Sequence, residues 1–242
     1  SVAELPNGNF LILGTERRVI EDYYGSEWDA DAPRRDRLVM GDEVVEFRRD
    51  GTVAWRWSAF DHMDPFRIGY LTFGGYWMFR GWPHTADWSH ANNVAYVRKD
   101  DAVLCNFRRL SAVVKIERPT GDIDWIAGEH SGWSPRLKGK LLKLENADRW
   151  FWHQHDARIT RRGTLMLFDN NNFEARPFDK PEPPSAIHSR AAEYELDEEN
   201  RTLRQVWTSE IPGDRQHASI AMGTVQKLPR TGNVLAGYGA LL

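Results

Sequence analysis

Asp87-Trp88-Ser89-His90-Ala91-Asn92-Asn93-Val94-Ala95-Tyr96 sets a histidine immediately ahead of an apolar, strand-like run, and the pattern returns twice. Gln154-His155-Asp156-Ala157-Arg158-Ile159 leads into Gly163-Thr164-Leu165-Met166-Leu167-Phe168, and Gln216-His217-Ala218-Ser219-Ile220 leads into Gly232-Asn233-Val234-Leu235-Ala236. His90, His155 and His217 are 65 and 62 residues apart. One histidine at the same phase of three repeats points to a shared site.

Around each histidine the repeat contains four apolar segments, A to D. A tight turn joins A to B (Asn7-Gly8-Asn9, Lys99-Asp100-Asp101, Arg161-Arg162-Gly163, Arg230-Thr231-Gly232). Segment C is Glu43–Phe47, Ala112–Ile116 and Ala191–Leu196, and a second tight turn leads to D, which ends at Trp55, Trp125 and Trp207. Gly, Asn and Asp between alternating apolar runs are hairpin signals, because the tight turns of hairpins need φ > 0. Four antiparallel strands recurring without helical periodicity predict an all-β fold, a β-propeller of four-stranded antiparallel blades. The repeat units run at about 1–57, 88–126, 153–208 and 217–242 within one domain spanning 1–242. The chain opens without Met and both ends fall inside a repeat, so thirteen strands of a longer, six-bladed-type ring are expected, beginning at segment B.

Composition narrows the function. With 242 residues, 41% of them hydrophobic, the chain can bury a full core, and eleven Trp, eleven Phe and seven Tyr suit strands. A net charge of −3 provides no basic field for nucleic acid. No apolar run approaches a membrane span. The single cysteine, Cys105, cannot form an internal disulfide and lies in an expected strand, where a buried thiol is ordinary.

Loop lengths choose the working rim. A–B and C–D turns are tight, whereas the links on the other rim are long, at roughly 14–42, 58–87, 127–152 and 169–189. These links carry Trp77, Trp82, Trp133, Trp150 and Trp152, and the recurrent histidines begin strands at the same rim. Arg17, Arg18, Arg108, Arg109 and Arg176 are expected there as well, and guanidinium forks suit a tetrahedral oxyanion. His62, His84, His130, His153 and His188 lie in links and are read as surface residues. Arg190 opens segment C and is read as structural.

Residues 87–96, Ala-Val-Val-Lys-Ile (112–116), Gln-His-Asp-Ala (154–157), Gly-Thr-Leu-Met-Leu-Phe-Asp-Asn (163–170) and Ser-Arg-Ala-Ala-Glu-Tyr (189–194) resemble, in order and in register, the bacterial arylsulfate sulfotransferases. The resemblance implies a six-bladed propeller that moves a sulfuryl group from a phenolic sulfate ester to another phenol through a sulfohistidine. It implies no nucleotide sulfate donor, no cofactor and no metal, and a periplasmic or secreted location. Its partners would be a small aryl sulfate donor and a phenolic acceptor. By the same resemblance, His90 and His155 help bind the transferred group, and Arg176, Asn92, Asn170 and Arg108 are substrate-binding residues. The nucleophile falls to His217 by repeat phase, or to a position just past Leu242. Two other readings remain open: a non-catalytic propeller that binds a ligand or protein at this rim, and a metal-dependent hydrolase with a three-histidine zinc site.

Overall fold

A computed structural model describes residues 2–147, 149–210 and 218–241. The first sheet is an antiparallel meander of β1 (Val2–Glu4), β2 (Phe10–Tyr23), β3 (Arg35–Phe47) and β4 (Val53–Ser58), with β5 (Thr85–Asp87) added in parallel to β3. The second is β6 (Ala91–Val97), β7 (Ala102–Phe107), β8 (Ala112–Glu117) and β9 (Ile123–Gly128). After a short β10 (Lys143–Leu144), the third is β11 (His155–Ile159), β12 (Leu165–Asp169), β13 (Arg190–Asp197) and β14 (Thr202–Thr208), with β10 parallel to β14. Last come β15 (Ser219–Ala221), β16 (Thr224–Lys227), β17 (Val234–Gly237) and β18 (Ala240–Leu241), pairing β15 with β18 and β16 with β17. The leading strands β1, β6 and β11 touch in turn, and β16 touches β11 and β12. The chain is therefore all-β, a partial propeller of four-stranded antiparallel blades.

Alternation along each strand splits its side chains between two cores. In β7, Val103, Cys105 and Phe107 pack with Leu11, Val44 and Trp57 of the first blade, whereas Ala102 and Leu104 pack with Leu165, Leu167 and Tyr194 of the third. That is why β7 is buried throughout: a middle blade has no solvent face. Each large side chain removed from water contributes roughly 1.5–3 kcal/mol, so blade stacking, not strand pairing alone, holds the array. Met166 and Ala191 pack with Val225 to continue the series. Gly51 and Gly163 close tight turns at φ 85° and 82°, a region that disfavours a side chain.

A polar latch accompanies each apolar seam. Glu46, Lys115 and Glu193 are cross-strand partners of Trp55, Trp125 and Trp207. Each is buried and reaches toward the next blade: Glu46 to Arg118 at 2.9 Å, Lys115 to Glu198 at 2.5 Å, Glu193 to Lys227 at 2.6 Å. The middle latch has the opposite polarity.

Two expectations change. The first blade is complete, because β1 pairs with β2 and supplies the strand expected to be missing. Residues 14–42 are mostly not a loop: β2 and β3 stay paired from Phe10↔Phe47 to Tyr23↔Arg35 as a long hairpin arm. Its polar alternation hid a strand pair that still buries Tyr23 and Val39 in the first core, with Ile20 packed against it. Of the three tryptophans, Trp125 is buried and Trp55 packs on the first core, but Trp207 is 37% exposed. Cys105 is buried, as expected. No helix among the described residues is long and apolar enough to cross a membrane.

Candidate active site

The link after β4 folds back over the second blade. Arg67 anchors it by donating to Leu110 O, Ser131 O and Glu129 O, with its guanidinium 4.0 Å over the Trp133 ring. A Cβ at Gly69 would stand 1.7 Å from Arg109 O, so only glycine allows the link so close to the segment carrying Arg108 and Arg109. The result is a cavity of about 1000 Å³ whose lining includes His90, Asn92, Arg108, Arg109, His155 and Asn172.

His90 sits immediately before β6 at φ 47°, next to a bulge between Ala91 and Asn93; bulges commonly re-aim side chains at sites. Its Nδ1–H donates to Asp87 Oδ2 at 2.6 Å. The same oxygen accepts from Arg109 Nε and Nη2 at 3.0 and 2.9 Å, and Oδ1 accepts from Trp77 Nε1 at 2.9 Å. A carboxylate cannot donate, so Nδ1 carries the proton and Nε2 presents its lone pair. No described residue hydrogen-bonds that Nε2. Burial works to raise the Asp87 carboxyl, but contact with His90 and the nearby Arg109 outweigh it and hold it below its usual value. Burial pulls His90 below 6.5 against the opposing influence of Asp87, so the imidazole is neutral at pH 7.

His155 begins β11, again beside a bulge. Asn170 donates its amide to Ser219 O and Met222 O, which turns Oδ1 toward His155 Nδ1 at 2.7 Å. His155 Nε2 accepts from Met222 N–H at 3.2 Å. Both nitrogens are thus engaged. Burial lowers this histidine to about 4.

Arg108 is buried, donates Nη2 to Ile220 O, and leaves Nε without a partner. It has no carboxylate partner among the described residues, whereas Arg109 has Asp87. Burial, then Arg109, lower it to about 9, which still leaves it charged at neutral pH. A buried cation without a counter-ion is costly, and beside two neutral imidazoles it makes the cavity floor an anion site.

A family model described as arylsulfotransferase (ASST) matches residues 1–242. The chain belongs to the arylsulfotransferase family. It is 36% identical over 138 residues to the arylsulfate sulfotransferase of Escherichia coli O6:H1, covering 50% of this chain and 22% of that protein. It is 30% identical over 207 residues to that of Lelliottia amnigena, covering 69% of this chain and 34% of that protein. The matches thus span about a fifth to a third of these relatives' length. BamB from Moraxella catarrhalis matches 87% of this chain and 54% of its own at 14% identity and a TM-score of 0.25, too low to bear on fold or function.

On this chain, the residues expected to work together separate into groups. His90, Asn92, Arg108 and His155 line one cavity. Asn170 is fully buried behind His155 and positions it. Arg176 lies apart: it lines a neighbouring cavity of about 370 Å³ and pairs with Asp179 at 3.1 Å. Phe173 and Pro181 of its loop line the first cavity, but Arg176 and its neighbours Ala175 and Pro177 line the second, which sequence spacing does not reveal. Arg17 lies over Trp82 and Arg18 pairs with Glu16 and Asp61 on the hairpin arm, so neither lines the cavity. His217 lies outside the described residues. Arg190 pairs with Asp169, its cross-strand neighbour, in the structural role expected.

Sequence reading missed Asp87, which precedes His90 by three residues and could have been noticed as a carboxylate at that spacing. His153, expected at the surface, is instead buried, at φ 52°, within ring contact of Phe173, and burial pushes it well below 6.5. Nothing in its local sequence signals that.

Proposed function

We propose that the protein moves a sulfuryl group from a phenolic sulfate ester to another phenol, in the periplasm or outside the cell. The observation that carries this reading is the buried Arg108, without a carboxylate partner among the described residues, lining the same cavity as His90, whose Nε2 no described residue hydrogen-bonds and whose Nδ1 proton is fixed by Asp87. Family membership and the two curated relatives support it.

In the proposed first half-reaction, Arg108 holds the sulfate oxygens. A neutral imidazole nitrogen attacks sulfur in line, an N–S bond forms and the S–O bond to the phenol breaks. The departing phenolate takes a proton. In the second half, the acceptor phenol loses its proton, its oxygen attacks sulfur, and the N–S bond breaks. The nucleophile belongs to the last blade, at His217 or past Leu242. His90 Nε2, with its lone pair free, is the general base that takes the acceptor phenol's proton in the second half and passes it to solvent; the phenolate released in the first half takes its proton from water. Fixed N–H donors at the floor stabilise charge spread over three sulfuryl oxygens. His155, with both nitrogens engaged, shapes the floor and has no free lone pair for a metal ion.

The test is 4-nitrophenyl sulfate with the full-length protein, with and without phenol and with EDTA. Phenol-dependent nitrophenolate release that survives EDTA is expected. Release that needs metal and ignores phenol would replace this reading with hydrolysis. Absence of release with every phenol tried would favour a binding module.

A further inference from the structure

The cavity is much larger than its anion floor needs. At about 1000 Å³, it lies at the upper end of the roughly 300–1,000 Å³ that bury drug-sized ligands, several times what one phenyl ring and a sulfate would fill. Its lining is mixed: His90, Arg108 and His155 share it with Arg80 and Glu182, and Trp28, Leu71, Phe173, Pro181, Pro183 and Ile187 supply apolar wall.

That wall is assembled from three separate segments. The hairpin arm brings Trp28, the link after β4 brings Leu71, and the loop after β12 brings Phe173 and the prolines. Phe173 stacks on Tyr70 at 5.0 Å and 18°, and Trp28 lies 4.6 Å from Tyr70 and 6.2 Å from Phe173. Glu27, buried in the arm, accepts from Leu71 N and Phe73 N through its carboxylate, and its backbone carbonyl accepts from Phe178 N. The Tyr70 hydroxyl donates to Asp179 O, tying the link to the loop. Leu71 and Phe173 are held at φ 68° and 67°, which costs non-glycine residues energy and is typical of ligand clamps. Despite this support, the Trp28 indole remains 54% exposed. A rigidly backed aromatic surface left open toward a cavity is what a second ring would cover.

We propose that this wall selects extended aryl sulfates, those with two or more linked or fused rings, the outer ring resting on Trp28 and Phe173 while the sulfate is held at Arg108. The proposal rests on the sulfuryl-transfer reading and names the donor class for it.

Phenyl sulfate and biphenyl-4-yl sulfate test it, because their parent phenols are of similar acidity and so leave with similar ease. With a common acceptor and the full-length protein, kcat/KM for the biphenyl donor should exceed that for phenyl sulfate at least tenfold. The ratio should fall to about one in Trp28→Ala and recover in part in Trp28→Phe. Trp207→Ala, which alters an exposed indole of the third blade outside this cavity, should keep it. Equal kcat/KM for the two donors, or an advantage that survives Trp28→Ala in a protein with unchanged thermal transition, would overturn the proposal. Should neither donor turn over, the sulfuryl-transfer reading fails by itself. Calorimetric affinities of the same two sulfates then decide the wall: tenfold tighter biphenyl binding lost in Trp28→Ala supports it, equal affinities sink it.

Discussion

Asp87 stands 2.6 Å from His90 through Oδ2 and Nδ1, and this one contact fixes which imidazole nitrogen is free. Asp87 is itself fixed by Arg109 and Trp77, so the histidine's orientation is set by residues from β5, the second blade and the link after β4.

Asp87→Asn should lower kcat by about 10²- to 10⁴-fold. It should also cost stability, on the order of 3 kcal/mol, by leaving Arg109 buried without its counter-charge. Because Asp87 pulls the His90 pKa upward, the acid limb of the kcat/KM profile should move to lower pH. A profile and rate matching the parent protein would remove Asp87 from the mechanism.

Arg108→Met separates function from stability. Loss of the cation should reduce kcat/KM by about 10²–10³-fold, while the melting temperature stays level or rises, since an unpaired buried charge is gone. A large drop in melting temperature that tracks the activity loss would make Arg108 structural.

Acid should destabilise the fold through its histidines. His155 titrates near 4 in the folded protein against 6.5 when unfolded, so the unfolded state binds more protons between those values. Its contribution is complete above pH 6.5 and is lost as pH falls to 4; His153 and His90 shift in the same direction. Asp42 opposes them. Burial raises its carboxyl from 3.8 to about 7, so its contribution is present below 3.8 and lost as pH rises through 7. Denaturant titrations should therefore show His155→Gln flattening the loss on the acid side, and Asp42→Asn raising stability at about pH 8. A destabilised Asp42→Asn under those alkaline conditions would show that the carboxylate is needed in its charged form.

Lys115 holds Asp100 at 2.7 Å and Glu198 at 2.5 Å, with Asp124 at 3.3 Å. Lys115→Met should cost about 2 kcal/mol, discounted for the partial exposure of its partners. Adding Glu198→Gln should restore part of that loss, a coupling read by a double-mutant cycle. Additive effects would mean that the Lys115–Glu198 contact itself adds nothing across the seam between the second and third blades.

The blades were legible because a strand's period of two is local: alternating apolar residues and positive-φ turns mark each hairpin without reference to the rest of the chain. The rim bearing His90, Asn92, Arg108 and His155 followed from loop length for the same reason. The hairpin arm was not legible, since its polar alternation reads like a loop and only pairing of β2 with β3 shows otherwise. Nor was the position of Arg176, which depends on how the loop after Asn172 crosses toward the hairpin arm. Sequence by itself determined the all-β repeat and the placing of His90 and His155 at the starts of its strands. Tertiary structure alone decided that, among the described residues, nothing bonds His90 Nε2, His155 Nε2 is engaged, and Arg108 has no counter-ion. Those properties depend on hydrogen bonds from His90 to Asp87, from His155 to Asn170, from Met222 N–H to His155, and from Arg109 to Asp87. Such contacts exist only once blades stack and bulges turn the strand starts, because their partners come from segments that no local periodicity brings together.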